Sequence, residues 1–243
     1  MPARVSRVVS LVPSLTQSVA LTAPGLLVGA TDWCTHPADL DVTRVGGTKN
    51  PDVETVIALR PDVVVANDEE NRPADLAVLR DAGVAVWVTA PTTVTEGLQS
   101  LDRMLRVACR LDRPTWLDEA EAAWSTTYDA GAGEMRRRTA LVPIWRRPWM
   151  ALGRGTFAGD VLARLGVDNV LVGHAERYPR VQLGDLPPYD LVVLPDEPYA
   201  FSPEDGPEAF PGVEVRCVSG RHLTWYGPSL VEARDVLTAQ LFG

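Results

Sequence analysis

The sequence predicts an α/β protein built as two lobes joined by a long helix. Three observations predict it. Apolar runs of strand length alternate with helix-period segments through the first third of the chain. The alternation stops between Val94 and about Arg138, and it then resumes to the C terminus. The expected organisation is an N-terminal α/β lobe over 1–93, a connecting helical region over 94–138 and a C-terminal α/β lobe over 139–243.

Each element has its own signal. Val8–Val12 is a short β-branched run and reads as the first core strand. Ser14-Leu15-Thr16-Gln17 fits a capping box, with Ser14 as N-cap and Gln17 three residues on. Leu26–Ala30 is the second strand. At Asn50-Pro51-Asp52 a helix is expected to start, with Asn50 capping, Pro51 in the first turn and Asp52 facing the positive helix end. That helix runs over Val53–Leu59, and a buried strand follows at Val63–Ala66. Pro73–Asp81 is a helix closed by Gly83, and Val84–Val88 is the next strand. In the middle segment Leu98, Leu101, Met104, Leu105 and Ala108 recur at helical spacing, as do Leu117, Ala120 and Trp124. Arg113-Pro114 marks a kink or division there. The second lobe has strands expected at Ala140–Trp145, Val170–Val172, Leu191–Leu194 and Val213–Val218. Its helices are expected within Gly155–Leu165, closed by Gly166, and over Pro228–Phe242. Ile57-Ala58-Leu59-Arg60-Pro61-Asp62-Val63-Val64-Val65 is echoed by Leu186-Pro187-Pro188-Tyr189-Asp190-Leu191-Val192-Val193, which suggests related lobes.

Composition narrows the function classes. A chain of 243 residues with 46% hydrophobic content can bury a real core. A net charge of −9 without a basic stripe argues against nucleic acid as a partner. Lys49 is the only lysine among 23 basic residues, a bias best read as genomic composition. Cys34, Cys109 and Cys217 are far apart and form neither a zinc knuckle nor a disulfide framework. No stretch approaches the ~20 apolar residues of a membrane span. Met1 to Val12 reads directly as a core strand and not as an export leader, so a cytoplasmic location is expected. A monomer is the expected state.

The run Val45-Gly46-Gly47-Thr48-Lys49-Asn50-Pro51-Asp52-Val53-Glu54-Thr55-Val56-Ile57-Ala58-Leu59-Arg60-Pro61-Asp62-Val63-Val64-Val65-Ala66 is similar to the N-terminal lobe of the class III solute-binding proteins, the helical-backbone metal receptors that bind cobalamin and iron–siderophores. Arg7–Thr16, Trp33-Cys34-Thr35-His36-Pro37 and His222-Leu223-Thr224-Trp225-Tyr226-Gly227-Pro228-Ser229 resemble further segments of that family, in the same order along nearly the whole chain. The resemblance implies two Rossmann-like lobes joined by a rigid backbone helix, a ligand cleft between them and little closure on binding. It also implies a small-molecule ligand such as a corrinoid, haem or an iron chelate, and no required cofactor. Carried over position by position, the cleft residues would be Ser14, Leu15, Trp33, His36, Thr48 and Lys49, with Trp145, Tyr178 and Trp225 from the C-terminal lobe. An ABC permease would dock on Glu54 and, where Gly184 replaces the family's second carboxylate, on neighbouring Asp185. Two other departures are Thr48, where cobalamin binders carry an aromatic, and Ser229, where many siderophore binders carry Arg.

The residues also admit other readings. Cys34 and His36 could ligate a borderline metal, although a site needs three or four ligands. His222 is placed near the expected cleft, and His174 reads as a solvated loop residue. Trp33, Trp145 and Trp225 could stack on a flat ligand, whereas Trp87, Trp116 and Trp124 read as core. Trp145 and Trp149 flank Arg146-Arg147-Pro148, either an anion site or a basic turn. Gly153-Arg154-Gly155-Thr156 lacks phosphate-loop spacing, and no GxSxG, HExxH or triad-like set occurs, so no catalytic residue is assigned. Two rival functions stand beside ligand binding: a cofactor- or metal-dependent enzyme on the same lobes, and a protein-binding scaffold with a collapsed cleft.

Overall fold

A computed structural model describes residues 1–125 and 137–243. They form two compact units that interleave in sequence: Met1–Pro91, Thr95–Glu119 and Tyr226–Pro228 make the first, and Thr92–Val94, Ala120–Trp225 and Ser229–Gly243 make the second.

The first unit is a parallel sheet with helices. Its strands are β1 (Val8–Ser10), β2 (Leu27–Ala30), β3 (Thr43–Arg44), β4 (Val63–Asn67) and β5 (Val86–Thr89), in the order β3-β2-β1-β4-β5. Helices α1 (Pro13–Thr22), α2 (Val53–Ala58) and α3 (Pro73–Asp81) connect them. β4 is buried at every position, as a central parallel strand covered on both faces must be. Val9, Leu11, Val45, Val56, Val64, Ala66, Leu76 and Leu79 form its core. Each fully buried side chain of this size contributes about 1.5–3 kcal/mol of transfer free energy.

Two helix starts differ from expectation. α1 begins two residues early, at Pro13, with Val12 as the N-cap in place of Ser14. Proline has no N–H to satisfy and its φ is already helical, so it displaces Ser14 from the capping role. Gln17 closes no capping box; its Oε1 is buried without a hydrogen-bond partner. α2 is capped by Asp52 and not Asn50: Asp52 Oδ1 accepts from Thr55 N at 3.0 Å and Oδ2 from Thr55 Oγ1 at 2.6 Å. Asn50 and Pro51 are still in a turn there, since Asn50 N bonds Gly47 O at 3.2 Å and Pro51 bridges Gly46. Gly46 makes that turn at φ 80°, a conformation that favours glycine. α3 runs over the expected residues and is followed by Gly83 at φ 81°. The two-residue edge strand β3 was not foreseen; both its residues are exposed and carry no apolar pattern.

The middle segment is helical, as expected, and it divides into two helices at the marked Arg113-Pro114. α4 (Val94–Arg103) runs into a π turn at Met104–Ala108, and α5 (Thr115–Ala123) follows. Arg110 breaks the path at φ 59°, and Pro114 bars its predecessor from helical geometry. The rest of the expected connecting region, residues 126–136, lies outside the described residues.

The second unit holds a parallel sheet of β6 (Arg138–Leu141), β9 (Val167–Asn169), β10 (Leu191–Pro195) and β11 (Glu214–Val218), ordered β11-β10-β6-β9. A hairpin of β7 (Pro143–Trp145) and β8 (Met150–Ala151) stands apart from it. The expected strand Ala140–Trp145 is therefore two strands in two sheets, divided at Val142 ahead of Pro143, which has no ladder donor. The expected strand Val170–Val172 is a turn instead: Asn169 Oδ1 accepts from Leu171 N at 3.1 Å and ends β9. Helices α6 (Phe157–Arg164), α7 (Gly220–Thr224) and α8 (Leu230–Phe242) complete the unit. α7 was not foreseen, and α8 starts two residues later than expected. Leu141, Ala151, Leu171, Val192, Leu194, Phe201 and Phe210 form the core.

The internal echo has a structural counterpart. In the first unit Asp62, one residue before β4, clamps the entry to β1: its N bonds Arg7 O at 2.8 Å and its Oδ2 accepts from Ser6 N at 2.7 Å and Arg7 N at 2.9 Å. Those backbone donors hold the Asp62 carboxyl below the usual range. In the second unit Asp190, one residue before β10, bonds Thr139 O at 2.8 Å and accepts from Thr139 N at 3.4 Å, at the entry to β6. In both units an aspartate registers the strand it precedes against that strand's neighbour.

Candidate ligand-binding surfaces

All five strands of the first sheet are parallel, so their carboxyl-end loops share one edge. Ligands of open α/β sheets bind at that edge. The loops after β2 and β3 lie together: Asp32 N bonds Gly46 O at 2.9 Å, and a Cβ on Gly47 would stand 3.4 Å from Trp33 Nε1. The Trp33 indole thus passes over a glycine, yet Trp33 is 67% exposed. Arg44 holds the base of this loop by donating to Thr31 O at 3.0 Å and Cys34 O at 2.9 Å.

Beneath the edge is a polar network that pattern reading missed. Asn71 Nδ2 donates to Leu11 O at 3.2 Å and Thr48 O at 3.0 Å, which ties the loops after β1 and β3 to the loop after β4. Asn67 Nδ2 donates to Thr89 O at 3.1 Å and Tyr226 Oη at 2.7 Å, while its Oδ1 accepts from Glu69 N at 2.8 Å and Glu70 N at 3.2 Å. Thr89 Oγ1 donates to Ala66 O at 2.9 Å, so the Tyr226 hydroxyl is the donor in their 2.8 Å contact. Burial drives the Tyr226 phenol well above its ordinary range. The signal available in sequence was the abrupt change from Val63-Val64-Val65-Ala66 to Asn67-Asp68-Glu69-Glu70-Asn71 at a strand exit.

The expected residues of this unit separate by exposure. Trp33 and Lys49 are exposed, and His36 and Thr48 are half-buried. Ser14 and Leu15 are buried, Leu15 completely. Lys49 Nζ reaches the Glu69 carbonyl and lies 3.9 Å from Glu70. His36 Nδ1 is 3.1 Å from Thr35 Oγ1. Cys34 is enclosed by its neighbours. Its Sγ is fully buried between Thr16 Oγ1 at 2.9 Å and Thr31 Oγ1 at 3.1 Å, and burial raises its thiol pKa. Among the described residues no group of three or more His, Cys, Asp or Glu is arranged to hold a metal ion.

In the second unit the corresponding strand exits carry acids and aromatics. Asp196 and Glu197 follow β10; Asp196 Oδ1 accepts from Gly220 N at 2.6 Å. Trp225 is buried and donates its indole N–H to Glu197 Oε2 at 3.0 Å, so it packs inside the unit. Gly220 is required where it stands, because a Cβ there would meet Glu197 Cβ and N at 2.6 Å. Burial raises the Glu197 carboxyl, and Asp196 adds to the effect. His222 bridges Ser219 Oγ at 2.8 Å and Glu232 Oε1 at 3.0 Å, a helix-to-helix tie between α7 and α8.

Trp145, at the end of β7, is 43% exposed and meets Tyr199 edge to face at 5.5 Å. The Arg146-Arg147-Pro148 turn behind it does not offer Arg146 to an anion. That guanidinium stacks on Trp149 at 5.2 Å and pairs with Asp205 and with Glu208 at 2.8 Å. Tyr178 is half-buried in the strand-like stretch that Ala151 and Gly153 bond on either side, at Pro179 O and Arg177 O. Glu54, in the first turn of α2, and Asp185 are both exposed.

This arrangement of chain has known counterparts. The profile of the periplasmic binding protein family matches residues 8–186. The vitamin B12-binding protein of Salmonella typhimurium is 26% identical over 181 residues, which cover 72% of this chain and 66% of that protein, just under two thirds of its length. Among solved structures, the apo periplasmic heme-binding protein RhuT from Roseiflexus sp. RS-1 superposes with a TM-score of 0.78 at 19% identity, over 98% of both chains. The periplasmic vitamin B12 binding protein BtuF of Vibrio cholerae superposes with a TM-score of 0.73 at 16% identity, over 99% of this chain and 98% of that one. At these identities the structural likeness shows the fold, a pair of parallel α/β lobes. With the profile running from β1 to the approach of β10, the chain belongs to the periplasmic binding protein family.

Proposed function

We propose that the chain is a binding protein for a bulky, flat metal chelate of the corrinoid, haem or ferric-siderophore type, held by the strand-end loops. Trp33 carries the reading. A tryptophan 67% exposed at the carboxyl edge of a parallel sheet, laid over Gly47 on a base anchored by Arg44, is a ready stacking platform. Covering its exposed face with a ligand would contribute about 3 kcal/mol at ~25 cal/mol per Å². In the same unit Thr48, Lys49 and His36 offer polar contacts for orientation, and the second unit carries an exposed aromatic of its own, Trp145. Glu54 and Asp185 are the exposed carboxylates through which such a protein would meet an ABC permease. The B12- and heme-binding relatives support the ligand class, and their binding role supports a carrier over an enzyme.

The test is a tryptophan-fluorescence titration with cobalamin, haem and a ferric siderophore, on wild type and Trp33→Ala. At least one chelate should quench the wild type. Trp33→Ala should weaken that ligand tenfold or more, while its Tm stays within about 1 °C because the side chain is largely exposed. No response to any chelate would overturn the reading.

A further inference from the structure

We propose that Asn67 and Asn71 are positioning residues of the ligand site: from beneath the sheet edge, and without touching the ligand, they set Thr48 and Lys49 in place. The proposal rests on the preceding reading that strand-end loops hold the ligand. Every residue it uses belongs to the first unit. β4 ends its apolar run at Asn67, and Asn71 follows one short loop later, closed by Asn71 N on Asn67 O at 3.0 Å. The two side chains are buried, at 5% and 2% exposure. A buried amide is costly unless its polar atoms are bonded. What these two bond is the backbone of the strand exits. Asn71 Nδ2 donates to Thr48 O at 3.0 Å and to Leu11 O at 3.2 Å, and its Oδ1 accepts from Asn67 N at 2.9 Å. Asn67 Oδ1 accepts from Glu69 N at 2.8 Å and Glu70 N at 3.2 Å, which folds residues 67–70 into a side-chain-capped turn. That turn presents the Glu69 carbonyl to Lys49 Nζ, with the Glu70 carboxylate 3.9 Å away. One amide thus fixes the backbone at Thr48, and the other fixes the carbonyl that receives the ammonium of the next residue.

A lysine on an exposed loop samples many rotamers, and a ligand that meets it must order it at the expense of affinity. Lys49 is held before any ligand arrives, so that ordering belongs to folding. The two ends of the Asn67 amide have separate tasks. Oδ1 shapes the turn under Lys49, whereas Nδ2 goes to Thr89 O and Tyr226 Oη in the network beneath. This division allows positioning to be told apart from stability.

The experiment has a ligand-free arm and a binding arm, both on the full chain and well below the melting transition. Lys49 is the only lysine, so protein labelled with carbon-13 lysine gives a single Cε resonance. Its relaxation in wild type should report a restricted side chain, and Asn67→Ala should release it toward the mobility of free lysine. Asn67→Asp keeps the Oδ1 acceptor and gives up both Nδ2 donations, so it should lower Tm yet leave Lys49 restricted. A merely structural role would free Lys49 in both variants alike. In the binding arm, cyanocobalamin, haemin and a ferric siderophore are titrated by calorimetry. Asn71→Ala should weaken whichever chelate binds wild type about tenfold, the effect of leaving roughly one loop residue to be ordered on binding, but only about twofold in a Lys49→Ala background. Lys49 equally mobile in wild type and Asn67→Ala, full release in Asn67→Asp, equal losses from Asn71→Ala in the two backgrounds, or a Lys49→Ala variant that binds as tightly as wild type would each overturn the proposal while the chelate reading stands. If no chelate binds wild type, the chelate reading falls, and with it the ligand part of this proposal; the Lys49 resonance then decides the positioning alone.

Discussion

Tyr226→Phe tests whether the buried network under the first sheet edge determines stability. The substitution keeps the ring and removes one oxygen. With it go the hydrogen bond from Asn67 Nδ2 at 2.7 Å and the donation to Thr89 Oγ1 at 2.8 Å. Thr89 is left satisfied, since its hydroxyl still donates to Ala66 O at 2.9 Å. Asn67 is not: one amide proton keeps Thr89 O at 3.1 Å and the other is stranded in a buried site. A lost bond plus one stranded donor costs about 2 kcal/mol, or about 4–8 °C in Tm for a chain of this size. In an Asn67→Ala background the stranded donor no longer exists, so the same change should cost only about 0.5–1 kcal/mol. The coupling in the double-mutant cycle is then about 1 kcal/mol. The high-pH limb supplies an independent readout. Burial raises the folded-state phenol above its unfolded value of about 10, so the folded state retains a proton that the unfolded state gives up. The stabilisation from the neutral phenol is complete below pH ~10 and declines above it, by up to about 1.4 kcal/mol per pH unit. Wild type should lose this increment between pH 10 and 11 and Tyr226→Phe should not, so the gap between them narrows. Thermal melts of the four proteins at neutral pH, and of two at high pH, suffice. A Tm for Tyr226→Phe within 1 °C of wild type, or strict additivity with Asn67→Ala, would refute the reasoning.

Three further predictions concern other parts of the chain. Gly153→Ala should destabilise the second unit by about 3 kcal/mol or more, because its Cβ would collide with Glu176 O and stand 3.1 Å from Arg177 O; thermal melts followed by Trp fluorescence would show it, and an unchanged Tm would rule the close approach out. Glu214 is held down to about 2 by the Arg138 and Arg216 guanidiniums; since its side chain is 41% exposed, Glu214→Gln should cost only about 0.5–1 kcal/mol at pH 7, a difference that disappears as pH falls from about 4.5 toward 2. Burial raises the thiols of Cys34 and Cys109, the latter to about 12, so a thiol reagent at pH 8 should label half-buried Cys217 first and the other two only on unfolding; rapid labelling of Cys34 in the native protein would contradict its placement between Thr16 and Thr31.

What was legible in the sequence was local. β4 and β10 stand out because an unbroken apolar run after Pro and Asp has few alternatives, and α3 because Pro73 and Gly83 mark its ends by backbone geometry alone. The start of α2 was misread by two residues, since Asn50, Pro51 and Asp52 are all plausible caps and only the Gly46–Pro51 bridge decides between them. The site was harder. Trp33 and Trp225 have similar loop surroundings in sequence, yet one is 67% exposed and the other 8%. The difference is Glu197, twenty-eight residues from Trp225, whose carboxylate draws that indole inward. Leu15, Ser14 and Cys34 likewise sit in or beside a functional-looking turn, but their neighbours across the fold bury them.

The threading of the chain bears on how this protein is made. Tyr226-Gly227-Pro228 belongs to the first unit, although the residues before and after it belong to the second. A Cβ on Gly227 would stand 3.0 Å from Ser14 O, so this tripeptide is seated against the first turn of the first helix. A ribosome has therefore synthesised most of the second unit, through Trp225, before the N-terminal unit receives its last piece. Until then Asn67 and Thr89 await the hydroxyl that completes their bonds. The nascent first lobe must persist unfinished through the synthesis of the second. A fragment ending before Tyr226 would hold an open slot where a native lobe has its keystone.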